Sequence, residues 1–118
     1  MDYDSKELVL EIARWGEERG ANEIVIQEIF KVSHITDYFV IMHARNRILT
    51  AAITEYIRDE VEAKYHLPLP HIEGQQQADW LLMDYGAVVV HVFLEETRRL
   101  FDLEHLWLDA PLLPRPAS

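Results

Sequence analysis

The run Ala87-Val88-Val89-Val90-His91-Val92-Phe93-Leu94 constrains the fold of this chain more than any other stretch. It is apolar at almost every position and rich in β-branched side chains, which are stiff in a helix and pack well on a pleated surface. A half-exposed strand alternates apolar and polar residues. This one does not, so it reads as a strand whose two faces both need cover. A chain of 118 residues has room for one domain of that kind, and it can bury roughly two-thirds of its unfolded surface without a metal or disulfide.

The other elements arrange themselves around that strand. Ser5 is an N-cap candidate and Gly20 a stop, with Leu8, Ile12 and Trp15 at helical spacing between them. Residues 22–30 alternate and are rich in isoleucine and valine, which predicts a strand. A turn over 32–36 and a second strand over 37–42 make an antiparallel hairpin with it. Asn46 caps a second helix whose apolar stripe is Leu49, Ala52, Ile53, Tyr56, Ile57 and Val61. That helix ends near His66, because Pro68 and Pro70 cannot continue it.

A short extended piece is expected at 71–74 and a strand at 79–84. Tyr85-Gly86 reads as a two-residue hairpin turn into the apolar strand. A single short helix over 95–107 follows. The proline-rich tail, 108–118, is expected to be disordered, leaving 1–107 as one domain. The expected architecture is α/β, a mixed sheet of about five strands with two long helices and a short C-terminal one. Either these few helices leave part of the sheet bare for a partner, or they divide between its two faces.

Composition excludes several functions. There is no cysteine, hence no disulfide framework and no thiolate zinc site. The formal net charge of -10 repels phosphate backbones, so direct reading of nucleic acid is not expected. The same field favours a basic protein partner, or serves solubility alone. The N-terminal residues carry no basic, apolar signal segment, and no apolar run approaches the ~20 residues of a membrane span. The expectation is a soluble, cytosolic protein that does not engage a membrane.

Catalytic motifs are missing. His71-Ile72-Glu73 matches half of a zinc-deaminase signature whose cysteine half cannot exist here. Asp84-Tyr85-Gly86 looks like the kinase metal-binding triplet, but no glycine-rich loop or catalytic loop accompanies it. The six histidines are scattered, so no metal or other cofactor is expected. Asp79 and Asp84 point to opposite faces of a strand, and the closely spaced Asp2 and Asp4 lie in the terminal segment. His91 shares a face with Val89 and Phe93 and reads as a half-buried histidine. Trp80 shares a face with Leu82 and Asp84, as either a core edge or a binding hot spot.

The run DWLLMDYGAVVVHVF, the helix segment LFDLEHLW after it, ITDYFVI at 35–41 and IEG at 72–74 occur in one order. Together they resemble the ribosomal silencing factor family, also called Iojap, over residues 8–109. The resemblance implies a nucleotidyltransferase-like fold that works as a binding protein rather than an enzyme. It implies docking on the large ribosomal subunit through ribosomal protein L-fourteen, obstruction of subunit joining, and repression of translation when nutrients are scarce. On that basis Trp80, Leu82, Asp84 and Tyr85, with Glu73 at the margin, are the expected partner-binding residues. Leu106 and Trp107 are expected to lock the last helix onto the sheet. Ala87 stands where family members usually carry Asp, Leu100-Phe101 replaces a usual Phe-Tyr pair, and residues 43–47 replace a glycine- and serine-rich helix start. The alternatives are a residual nucleotidyl-transfer enzyme and a generic scaffold that forms a homodimer through an uncovered sheet face.

Overall fold

The computed structural model describes residues 3–115. Its elements are α1 (Ser5–Glu18), β1 (Asn22–Glu28), β2 (Tyr38–Ala44), α2 (Arg47–Tyr65), β3 (His71–Glu73), β4 (Trp80–Asp84), β5 (Val88–Leu94), α3 (Glu95–Phe101) and α4 (Leu103–Leu106). A tight helical turn, Ile29–Lys31, follows β1. The five strands form one mixed sheet in the order β1-β2-β5-β4-β3. β5 runs parallel to β2 and antiparallel to β4, and the remaining pairs are antiparallel. Among the described residues no helix is long and apolar enough to cross a membrane.

The two faces of the sheet are covered unequally. α1 and α2 pack on one face, where Val40, Met42, Val88, Val90, Val92, Leu81 and Met83 meet Leu8, Ile12, Ile53 and Ile57. Each of these side chains is all but withdrawn from water, which stabilises the fold by roughly 1.5–3 kcal/mol apiece. The opposite face carries a smaller cluster of Ile29, Phe39, Ile41, Phe93, Leu103 and Ala110, covered by α4 and the segment after it. That cover ends short of β3 and β4. Both expectations for the helices therefore hold at once: they divide between the faces, and one end of one face stays bare.

Local chemistry explains the boundaries, with some corrections. Asp4, not Ser5, caps α1; its carboxylate accepts the Lys6 N–H at 2.9 Å. Asn46 caps α2 by accepting from Leu49 N–H at 2.8 Å, and His66 ends it in the left-handed region at φ +56°. The β4–β5 turn is displaced by one residue from the expected Tyr85-Gly86. Tyr85 N–H donates to Val88 O at 2.9 Å, so Gly86 and Ala87 form the loop, with Gly86 at φ +88° in its first position. The Asp84 carboxylate stabilises the turn by accepting from Gly86 N–H at 2.7 Å.

The expected helix over 95–107 is broken in two. Asp102 takes φ +49°, and α4 starts in a new direction. The bend is set by Arg98, which is 3% exposed and donates to Glu104 at 2.7 and 3.3 Å and to His43 Nδ1 at 2.9 Å. A straight helix could not bring Glu104 back to Arg98 in that way. Leu103 and Trp107 then pack on the sheet, Trp107 edge-on to Phe39 at 5.7 Å. Leu106, expected beside Trp107 on the sheet, instead points to water and is 76% exposed.

The segment after Trp107, expected to be disordered, lies along the outer edge of β1. Glu28 N–H donates to Pro111 O at 2.8 Å, Leu113 N–H donates to Ile26 O at 2.9 Å, and Arg115 pairs with Glu17 at 3.0 Å. Prolines obstruct a central strand but are compatible with an edge, because only alternate N–H groups face the neighbour. The last part of the expected tail, 116–118, lies outside the described residues.

Two substitutions test this account. Gly74 has φ +89°, and a Cβ there would stand 2.0 Å from Trp80 O. Gly74→Ala should lower stability by about 2 kcal/mol or more in urea unfolding. Arg98→Ala removes the partner of the Glu104 carboxylate and of His43 Nδ1 and should cost about 3 kcal/mol in the same measurement.

Candidate functional site

Strand pairing decides which side chains share the bare end of the sheet. Glu73 pairs with Leu82 and His71 with Asp84. Asp84 in turn pairs with Val89, Leu82 with His91 and Trp80 with Phe93. Paired residues lie on one face, so His71, Glu73, Trp80, Leu82, Asp84, Val89 and His91 all project away from α1 and α2. Trp80 and Leu82 are half-buried, while Glu73 and Asp84 are exposed. Glu73, Gly74, Trp80 and Leu82 line a shallow cavity of about 250 Å³.

Of the five expected binding residues, four are thus brought together. Tyr85 is not among them. It lies on the other face, packed against the larger core beside Arg58, Asp59 and Glu62 of α2. Its hydroxyl is buried without a hydrogen-bond partner. The one-residue displacement of the turn keeps Tyr85 in the strand alternation, in phase with Leu81 and Met83, and therefore on the helix side.

Trp80 is held firmly. Its ring sits 4.9 Å from Phe93 and 5.0 Å from Phe101, and its indole N–H donates to His91 Nδ1 at 3.1 Å. Thr50 Oγ1 donates to Ala78 O at 2.6 Å and anchors the loop that leads into β4. Because His91 accepts at Nδ1, its proton resides on Nε2, a buried atom with no partner. Burial lowers the His91 pKa to about 4, so the ring is neutral near pH 7. A tryptophan fixed by three neighbours loses little rotamer freedom on binding, which suits an anchor.

Reasoning from sequence missed Phe101. It is 51% exposed, and Leu100 beside it is 79% exposed. Phe101 extends the apolar surface from Trp80 onto α3. Two large apolar residues ending a seven-residue helix otherwise rich in charge were a legible sign of contact, but the break at Asp102 was needed to aim Phe101 at Trp80.

Among the described residues, Glu23, His43 and Glu95 bring potential metal-ligand atoms within 4.8 Å of one another. Their partners make this an ion-pair network. Arg99 holds Glu23 at 2.6 Å and Glu95 at 3.3 Å, and Arg98 donates to His43 Nδ1. Burial, with help from Arg98, also lowers the His43 pKa. An imidazole facing two guanidinium groups is a poor place for a further cation.

The sequence model of a family described as "Ribosomal silencing factor during starvation" matches residues 2–117. The ribosomal silencing factor of Bacillus subtilis is 35% identical over 96 residues, covering 81% of this chain and 80% of that protein. The corresponding protein of Halalkalibacterium halodurans is 35% identical over 95 residues, covering 80% of each. A mouse protein named "Mitochondrial assembly of ribosomal large subunit protein 1" is 34% identical over 95 residues, covering 76% of this chain but 40% of its own length. A crystal structure from Bacillus halodurans superposes with a TM-score of 0.77 at 29% identity, covering 94% of this chain and 99% of that one. One from Chromobacterium violaceum superposes at 0.85 with 20% identity, covering 98% and 92%, and shares the fold.

The buried neutral His91 has a consequence for stability. Its folded pKa of about 4 lies below the ordinary value of about 6.5. The unfolded chain therefore binds the proton first as pH falls. The contribution of the neutral ring is complete above about pH 6.5 and is lost between there and about pH 4, with a total of a few kcal/mol. Urea unfolding of the parent and of His91→Gln across that range should show the parent losing more stability than the variant.

Proposed function

The chain belongs to the ribosomal silencing factor family, and from that premise we propose that it docks on the large ribosomal subunit through the bare end of its sheet. The partner in this reading is ribosomal protein L-fourteen at the inter-subunit face. Occupying that face blocks joining of the small subunit and represses translation in the cytoplasm when nutrients are limiting. The mechanism is steric, so no catalysis and no cofactor enter it.

One observation carries the reading: Trp80 is locked by Phe93, Phe101 and His91 yet left half-exposed, with Leu82 beside it. A core tryptophan is covered, and an incidental surface tryptophan is not fixed from three sides. Hot spots combine a rigid aromatic anchor with a rim that excludes water. Glu73 and Asp84 supply an acidic rim around it. Together with the net charge of -10, they suit a basic ribosomal protein and speed its encounter.

Co-sedimentation with purified large and small subunits at several salt concentrations tests the proposal. Binding should be confined to the large subunit and weaken as salt rises, because the acidic rim is exposed and screened. Trp80→Ala should weaken that binding by about 2 kcal/mol or more, roughly thirty-fold. Unchanged pelleting of the variant would remove Trp80 from the site. Turnover of labelled nucleotide with Mg²⁺ would overturn the steric reading in favour of an enzyme.

A further inference from the structure

A second cavity lies on the helix-covered side, where the start of α1 meets the start of β2. It measures about 340 Å³ and is lined by Tyr3, Asp4, Ser5, Lys6, Phe30, Asp37 and Tyr38. Tyr38 opens β2, Phe30 sits in the turn after β1, and the two rings meet edge to face at 5.5 Å. Tyr3 supplies a third ring from the segment before α1. Three elements distant in sequence thus converge on one small volume.

The charges around it are unusual. Asp37 has no ion-pair or hydrogen-bond partner for its carboxylate among the described residues, and the carboxylate of Asp4 is engaged only by the Lys6 N–H. Tyr38 is 8% exposed, and its hydroxyl makes no hydrogen bond among the described residues. Burial raises the pKa of Tyr3 and Tyr38; Asp37 raises the first further, and Glu28, Asp4 and Asp37, in that order, raise the second. The field in the cavity is therefore negative. The opposing influences are the N-terminal end of α1, the Lys6 side chain at the rim and Lys31, whose ammonium lies 5.8 Å from the Phe30 ring centre and pairs with Glu28 at 3.0 Å.

We propose that this cavity binds an organic ammonium group, of the kind carried by a lysine side chain, with Tyr3, Phe30 and Tyr38 as the aromatic walls and Asp37 as the counter-charge. Ring faces attract cations through their quadrupoles, and the attraction grows as the cation sheds water. A neighbouring carboxylate adds the long-range component, and the Tyr38 hydroxyl oxygen can accept one N–H. The site is separate from the Trp80 surface and does not depend on how the chain meets the ribosome.

The test is titration of the ¹⁵N-labelled full chain with butylammonium chloride, followed by amide chemical shifts, with butanol and inorganic phosphate as parallel probes. Saturable shifts at Asp37, Tyr38 and Phe30 are expected with butylammonium alone. Asp37→Asn should weaken binding at least about five-fold, and Lys6→Gln should tighten it by removing the like charge. Both positions are exposed, so the variants should keep the parent spectrum elsewhere. A lysine-containing tripeptide that shifts the same amides would show that a polypeptide side chain can enter. Shifts only with phosphate, equal shifts with butanol, or no saturation with butylammonium would each overturn the assignment.

Discussion

Burial of β5 on both faces is the constraint on which the rest of the structure depends. Val88, Val90 and Val92 require the helix layer, and His91 and Phe93 require a second layer on the other side. A strand of that kind belongs in the middle of a sheet, between β2 and β4. Its parallel pairing with β2 needs a crossover, and α2 provides it across the first face. The second face is left to short pieces, namely α3, α4 and the segment along β1. Those pieces cover the centre, reach β4 only at Trp80 through Phe101, and stop before β3.

That shortage produces the candidate docking surface. Trp80 stands at the boundary between covered and bare sheet. Its indole edge is satisfied by His91, and its ring is supported by Phe93 and Phe101. The same His91 is a liability at low pH, since a proton added to it has no counter-charge nearby. The pH dependence of stability and the placement of Trp80 therefore meet at one hydrogen bond. The Arg98 network has a related role: by bending the chain at Asp102 it seats Leu103 and Trp107 on the sheet and fixes the frame from which Phe101 reaches Trp80.

The elements legible in the sequence are those whose signals are local. The Asn46 cap, the stop at Pro68 and Pro70 and the alternation in β1 each act within a few residues, and each appears where expected. Where local signals misled, a distant partner had intervened. Helical propensity runs through Asp102, but Glu104 is drawn back to Arg98. Prolines after Trp107 suggest disorder, but the open edge of β1 donates one backbone hydrogen bond to that segment, at Pro111 O, and accepts one from it, from Leu113 N–H. Tyr85 sits beside Asp84 in sequence, yet a one-residue difference in where the turn falls sends it to the opposite face.

For the candidate docking surface, the sequence by itself determined the grouping on β4: Trp80, Leu82 and Asp84 must share a face, because alternate residues of a strand do. It also determined that β5 would be central, because no other position hides so apolar a run from water. Tertiary structure alone decided which face would stay bare, that Glu73 would lie opposite Leu82, that Phe101 would join Trp80 and that Tyr85 would not. Those outcomes depend on strand order, register and the bend at Asp102. Each is settled by contacts between residues far apart in the chain, and no local pattern encodes them.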